Sequence, residues 1–160
     1  MFGKIKYALI ITGLVMCFYA CVKKKTFSQS PEIEYKSFTP IGLTDTANIV
    51  LGFSDGDGDI GKEAEDKTTN LFYTFYYYDT VTKVFHADYD HNNNDTIRNS
   101  YTIRKPSDDY VGKPINGEIA IKINGYRGSR TRKRIKYVLY MFDNANHKSN
   151  VLTTPEIQAP

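Results

Sequence analysis

Five consecutive residues, Asp55-Gly56-Asp57-Gly58-Asp59, place three carboxylates at alternate positions with only glycine between them. Alternate side chains of an extended chain share a face, and in a tight loop the two glycines let the backbone fold the acids inward. In either geometry three like charges crowd together, which is unfavourable until a cation neutralises them. A donor set made only of hard oxygens, without Cys or His, suits calcium. The expected ligands are Asp55, Asp57, Asp59 and Asp79, the last at the end of the next aromatic run, with Asp143 as a further candidate from a neighbouring loop. The competing reading is a solvated turn, since Asp and Gly are both good turn formers.

The segment is not an EF-hand. That loop needs glycine at its sixth position, and counting from Asp55 the sixth residue is Ile60. The better likeness is to bacterial cadherin-like sandwich domains, in which an Asp-x-Asp-Gly-Asp stretch leaves a strand and binds calcium at the domain edge. A second alternation, Asp88-Tyr89-Asp90-His91-Asn92-Asn93-Asn94-Asp95, falls where a hairpin loop is expected and reads as turn chemistry first.

Two other stretches carry recognition chemistry. Arg127, Arg130, Arg132, Lys133 and Arg134 crowd the connection between two strands; such a run suits phosphate, sulfate or carboxylate, or forms a solvated edge that discourages aggregation. Phe72-Tyr73-Thr74-Phe75-Tyr76-Tyr77-Tyr78 is almost wholly aromatic. One of its faces fills a core, and the other can stack on sugar rings or a partner.

Nothing compels catalysis. His86, His91 and His147 are scattered, and there is no helical two-His motif, nucleophile elbow or phosphate loop. The aspartates could supply paired carboxylates for sugar hydrolysis, but acids separated only by glycine make a better cation cage than an acid–base pair. The sequence reads as that of a non-enzyme.

The elements that must position these residues are strands. Period-two stretches at 32–38, 47–53, 70–78, 81–87, 96–103, 115–123, 134–142 and 150–157 are separated by Gly, Pro, Asn and Asp. Ile119, Ile121 and Ile123 share one side of their run, and Ile135, Tyr137, Leu139 and Met141 one side of theirs. The expectation is an all-β protein, an antiparallel immunoglobulin-like β-sandwich of about seven or eight strands. A helix of a turn or two is conceivable only at 61–68.

The chain opens with Lys4 and Lys6, a short apolar run and Phe18-Tyr19-Ala20-Cys21. From Tyr7 to Ala20 there are 14 residues, short of the roughly 20 that a spanning helix needs. This is a secretory signal pattern. Its end resembles a bacterial lipobox, with Phe18 where leucine is usual, so the expected order is a signal peptide at 1–20, lipidated Cys21 with a tether to residue 30, and the sandwich at 31–160. Cys17 is a poorer attachment point because Met16 precedes it. The folded part then contains no thiol, so no disulfide and no cysteine-ligated zinc. Of 21 basic residues two leave with the signal, and 19 remain against 18 acidic ones, a net charge of +1. Nucleic acid is therefore not an expected partner.

Taken with Phe53-Ser54 before the acids and the close Tyr140-Met141-Phe142-Asp143-Asn144-Ala145-Asn146-His147-Lys148-Ser149-Asn150, the chain resembles uncharacterised Bacteroidota-type lipoproteins with an immunoglobulin/cadherin-like sandwich. The resemblance spans nearly the whole chain. It implies a lipid-anchored sandwich in the bacterial outer membrane and no particular reaction. Lys23-Lys24-Lys25, in place of acidic residues after the cysteine, favours the periplasmic face over the cell surface. The expected function is a membrane-anchored, non-catalytic, calcium-stabilised module that binds another envelope component, a protein or a glycan; the alternative is a glycan-binding accessory lipoprotein.

Overall fold

Alternation decides most of the architecture. The structure, a computed structural model, describes residues 27–42, 44–126 and 132–159. The expected signal peptide, Cys21, most of the tether and Arg127 and Arg130 of the basic run lie outside the described residues. The strands are β1 (Glu32–Pro40), β2 (Thr46–Asp55), β3 (Leu71–Tyr78), β4 (Phe85–Ala87), β5 (Tyr89–Asp90), β6 (Asp95–Thr96), β7 (Asn99–Tyr101), β8 (Ile115–Asn124), β9 (Arg134–Met141), β10 (Leu152–Thr153) and β11 (Ile157–Gln158). The only helical element among the described residues is a 3-10 turn, Asp108–Tyr110.

All strand pairs are antiparallel. One sheet runs β1-β2-β8, and the other runs β10-β9-β3-β4, with β11 also on β9 and β7 also on β3. Placing the first, second and eighth strands in one sheet, and the third, fourth and ninth with the C-terminal strands in the other, is the division of an immunoglobulin-like sandwich. β5 and β6 form a separate hairpin. The inward faces meet in one core. Ile49, Leu51 and Ile121 from the first sheet and Leu71, Ile135, Leu139 and Met141 from the second are each 0% exposed. Burying each such side chain contributes about 1.5–3 kcal/mol.

The short strands depart from expectation for local reasons. The run at 81–87 pairs only from Phe85, because Asp79 closes a turn in which its N–H donates to Val84 O at 2.9 Å and Lys83 sits at φ 61°. The run at 96–103 survives as β6 and β7, and the closing run is split around Pro155, which has no N–H to give a ladder. Residues 61–68 form turns, not a helix; Thr68 N–H donates to Asp66 Oδ1 at 2.8 Å.

Register places one end of the sandwich under the acidic loop. Leu71 opposes Met141, so the start of β3 lies beside the end of β9. Asp55, the last residue of β2, opposes Ile115, the first of β8. The loops after β2 and β9 therefore emerge at the same end.

Candidate metal centre

Asp55 continues the inward stripe of β2. Ala47, Ile49 and Leu51 are buried on that stripe, and Asp55 at its end is also 0% exposed. Asp143, just past β9, is 1% exposed. One carboxylate oxygen from each of Asp55, Asp57, Asp59 and Asp143 lies within 4.8 Å of the others.

Backbone donors hold the loop in this shape. Asp59 N–H donates to Asp55 Oδ2 at 3.1 Å, and Ala145 N–H donates to Asp59 Oδ2 at 2.9 Å. His147 N–H donates to Asp143 Oδ1 at 2.7 Å, with His147 Nδ1 2.9 Å from Oδ2. The closing loop also grips the backbone: Asn144 Nδ2 donates to Gly61 O at 2.8 Å and its N–H to Asp59 O at 3.3 Å. From the other side Gly112 N–H donates to Asp57 O at 2.5 Å. Glycine is required within the loop. Gly58 has φ +66°, and a Cβ there would run into the carbonyl oxygens of Tyr110 and Lys113. At Gly56 a Cβ would meet the carbonyls of Phe27 and Ser28, where the N-terminal segment crosses the loop.

Three oxygens are left over. Asp55 Oδ1, Asp57 Oδ1 and Asp59 Oδ1 are buried and accept no hydrogen bond. No Lys or Arg among the described residues forms an ion pair with the four acids; their only basic neighbour within ion-pair distance is His147. Burial, reinforced by the charges of Asp57, Asp59 and Asp143, pushes the Asp55 carboxyl up to about 6. Burial, then Asp143 and Asp57, also raises Asp59, against the opposing backbone donors of Ala145 and Asn144. Unpaired buried carboxylate is costly and is normally found with a counter-charge. A buried cluster of this composition can bind a metal ion.

Asp79 is not brought to the cluster. It lies beyond the far end of β3, roughly 25 Å from the near end at strand rise per residue. There its Oδ1 accepts from Val81 N–H at 2.7 Å and Thr82 N–H at 3.3 Å, bonds that hold its carboxyl below the usual range. Asp143, in the Asp-x-x-Asn-x-x-Ser-Asn close, supplies the fourth carboxylate instead. Asp90 serves its own hairpin, accepting from Asn92 N–H at 2.9 Å and from Asn93 Nδ2 at 2.6 Å. The two described arginines of the basic run are engaged on the sheet. Arg132 lies 3.8 Å over the Tyr77 ring and 3.2 Å from Asp88, and Arg134 lies 3.7 Å over Tyr78 and pairs through two nitrogens with Glu156. Among the described residues no helix is long and apolar enough to cross a membrane.

No protein-family description and no curated protein matches the chain. Two solved structures of OgpA from Akkermansia muciniphila are similar to it. One is a catalytically inactive form in complex with an O-glycopeptide substrate, glycodrosocin, with TM-score 0.36, and the other is the wild type, with TM-score 0.35. Each is 14% identical, and the alignment covers 88% of this chain but only 32% of the other. A likeness at that level carries no inference about activity.

Proposed function

We propose that the chain is a non-catalytic envelope module in which Asp55, Asp57, Asp59 and Asp143 hold a calcium ion, and which binds another envelope component while anchored through Cys21 to the periplasmic face of the outer membrane. The observation that carries the ion is the set of three buried, unpartnered oxygens around a fully enclosed Asp55. The donor set supports calcium: four carboxylates with no nitrogen or sulfur suit a hard cation, and calcium accepts the irregular geometry of a loop site, whereas magnesium demands a near-ideal octahedron. The ion would tie the loop after β2 to the loop after β9 and close the end of the core. Calorimetric titration of the metal-free protein tests it. Calcium should bind with release of protons near neutral pH, and the melting temperature should rise with calcium concentration. No heat and no rise at millimolar calcium would sink the reading.

The second reading, a glycan-binding accessory protein, is supported by the outward side of β3. Phe72, Tyr76 and Tyr78 are only half-buried there, and Phe72 stacks with Tyr140 at 5.4 Å and an interplanar angle of 17°.

A further inference from the structure

The outer face of the β10-β9-β3-β4 sheet sets cations over several of its aromatic rings. Lys148 Nζ lies 4.2 Å from the centroid of Tyr140, whose ring is stacked beside Phe72. Lys136 Nζ lies 4.4 Å from Phe85 and 5.7 Å from Tyr76. The register alternates these groups along the outward rows: Phe72 opposes Tyr140, and Tyr76 opposes Lys136. Neither lysine has a carboxylate partner among the described residues. Glu156, the acid at the edge of this face, already has both oxygens on Arg134. The face is therefore aromatic and positive. The opposite outer face differs, with Glu32, Glu34 and Glu118 around Lys36.

We propose that this face binds an anionic glycan, its sugar rings lying on Phe72, Tyr140 and Tyr76 and its carboxylate or sulfate groups meeting the ammoniums of Lys136 and Lys148. Positions 136 and 140 are about 13 Å apart along β9, room for more than one ring. The lysine ammoniums lie over the rings and supply the acid contact, and the apolar side of the sugar lies against the ring surface left exposed beside them. Lysine is depleted from protein–protein interface cores, which disfavours a protein on this surface. Phe72, Tyr76 and Tyr140 are each half-buried, which leaves little apolar surface for insertion into lipid. The inference rests on the reading of the chain as a binding module, but not on the ion. Calcium titration tests the acidic loop, and oligosaccharide titration tests the face.

The experiment is calorimetry on the full chain in detergent micelles, with oligogalacturonate against its methyl-esterified form, and dextran sulfate oligosaccharide against dextran. An acidic oligosaccharide should bind and its neutral counterpart should not; which of the two acidic probes binds identifies carboxylate or sulfate as the group recognised. The double variant Lys136→Gln with Lys148→Gln should lose about tenfold or more in affinity, with an unchanged thermal melt. Tyr140→Leu, which keeps apolar bulk but removes the ring, should weaken binding several-fold. Lys122→Gln, on the other sheet's outer face, should change nothing. The proposal is overturned if neither acidic probe binds, if the double variant binds as wild type does, or if Lys122→Gln costs as much, which would indicate bulk charge alone.

Discussion

Replacing Asp55 by Asn should stabilise the metal-free protein and destabilise the calcium-loaded one. The amide keeps an oxygen for the Asp59 N–H and presents a donor where Asp57 Oδ1 and Asp59 Oδ1 have none. It also removes the cost of ionising a buried acid. A carboxyl raised from 3.8 to about 6 is charged in the folded state at neutral pH at a penalty of about 3 kcal/mol. The metal-free variant should therefore gain up to about 3 kcal/mol, roughly 8 °C in melting temperature for a domain of this size. The ion opposes this. Binding stabilises wild type by about 2.7 kcal/mol at a hundred times Kd and about 4.1 kcal/mol at a thousand times. The two melting curves should thus change order when free calcium passes on the order of a hundredfold Kd. Thermal melts over a calcium series buffered from chelator excess to millimolar ion would read this crossing. A variant less stable than wild type by the same margin in chelator and in calcium would refute both the uncompensated charge and the ion that offsets it.

The pH dependence has a definite sign. Asp55 has a folded value above its unfolded one, so its contribution is present below about pH 4 and is lost as pH rises through about 6. Chelated protein should lose stability over that interval, while calcium-saturated protein should not; denaturant titrations at a series of pH values check both. Gly58→Ala should cost at least about 2 kcal/mol and weaken calcium binding, because the left-handed backbone and the carbonyls of Tyr110 and Lys113 leave no space for a Cβ. Its readouts are the urea midpoint and the calcium isotherm. Asp79→Ala should leave calcium affinity unchanged and lower stability only modestly, through its turn, measured on the same two instruments. Asn150→Ala should cost about 2 kcal/mol, since its amide bonds both the N–H and the carbonyl of Ile33, at 2.8 and 2.9 Å.

The long strands were legible because a half-buried strand repeats every second residue. Ile119, Ile121 and Ile123 of β8, and Ile135, Tyr137, Leu139 and Met141 of β9, point inward as their spacing predicts. The acidic triplet was legible as well, from charge crowding alone. Its fourth member was legible only as one of two candidates. Asp79 and Asp143 look alike in sequence, each following an aromatic strand, and only the pairing of Leu71 with Met141 decides between them. That pairing is long-range, and local pattern does not encode it. The short strands β4 to β7 were blurred for the opposite reason, since side-chain caps such as Asp79 and Asp90 override weak strand propensity over two or three residues.

The four acids come from two stretches of chain separated by about half of the sequence, 55–59 and 143. They converge only once β3 has found β9, a long-range pairing whose loop-closure cost falls on folding. For a cage completed after the folding transition state the consequence is kinetic. An ion that recognises it would leave the refolding rate nearly untouched and act on escape from the native state. Its benefit would be longevity: a slower unfolding clock, and longer survival against proteases than equilibrium stability alone would indicate.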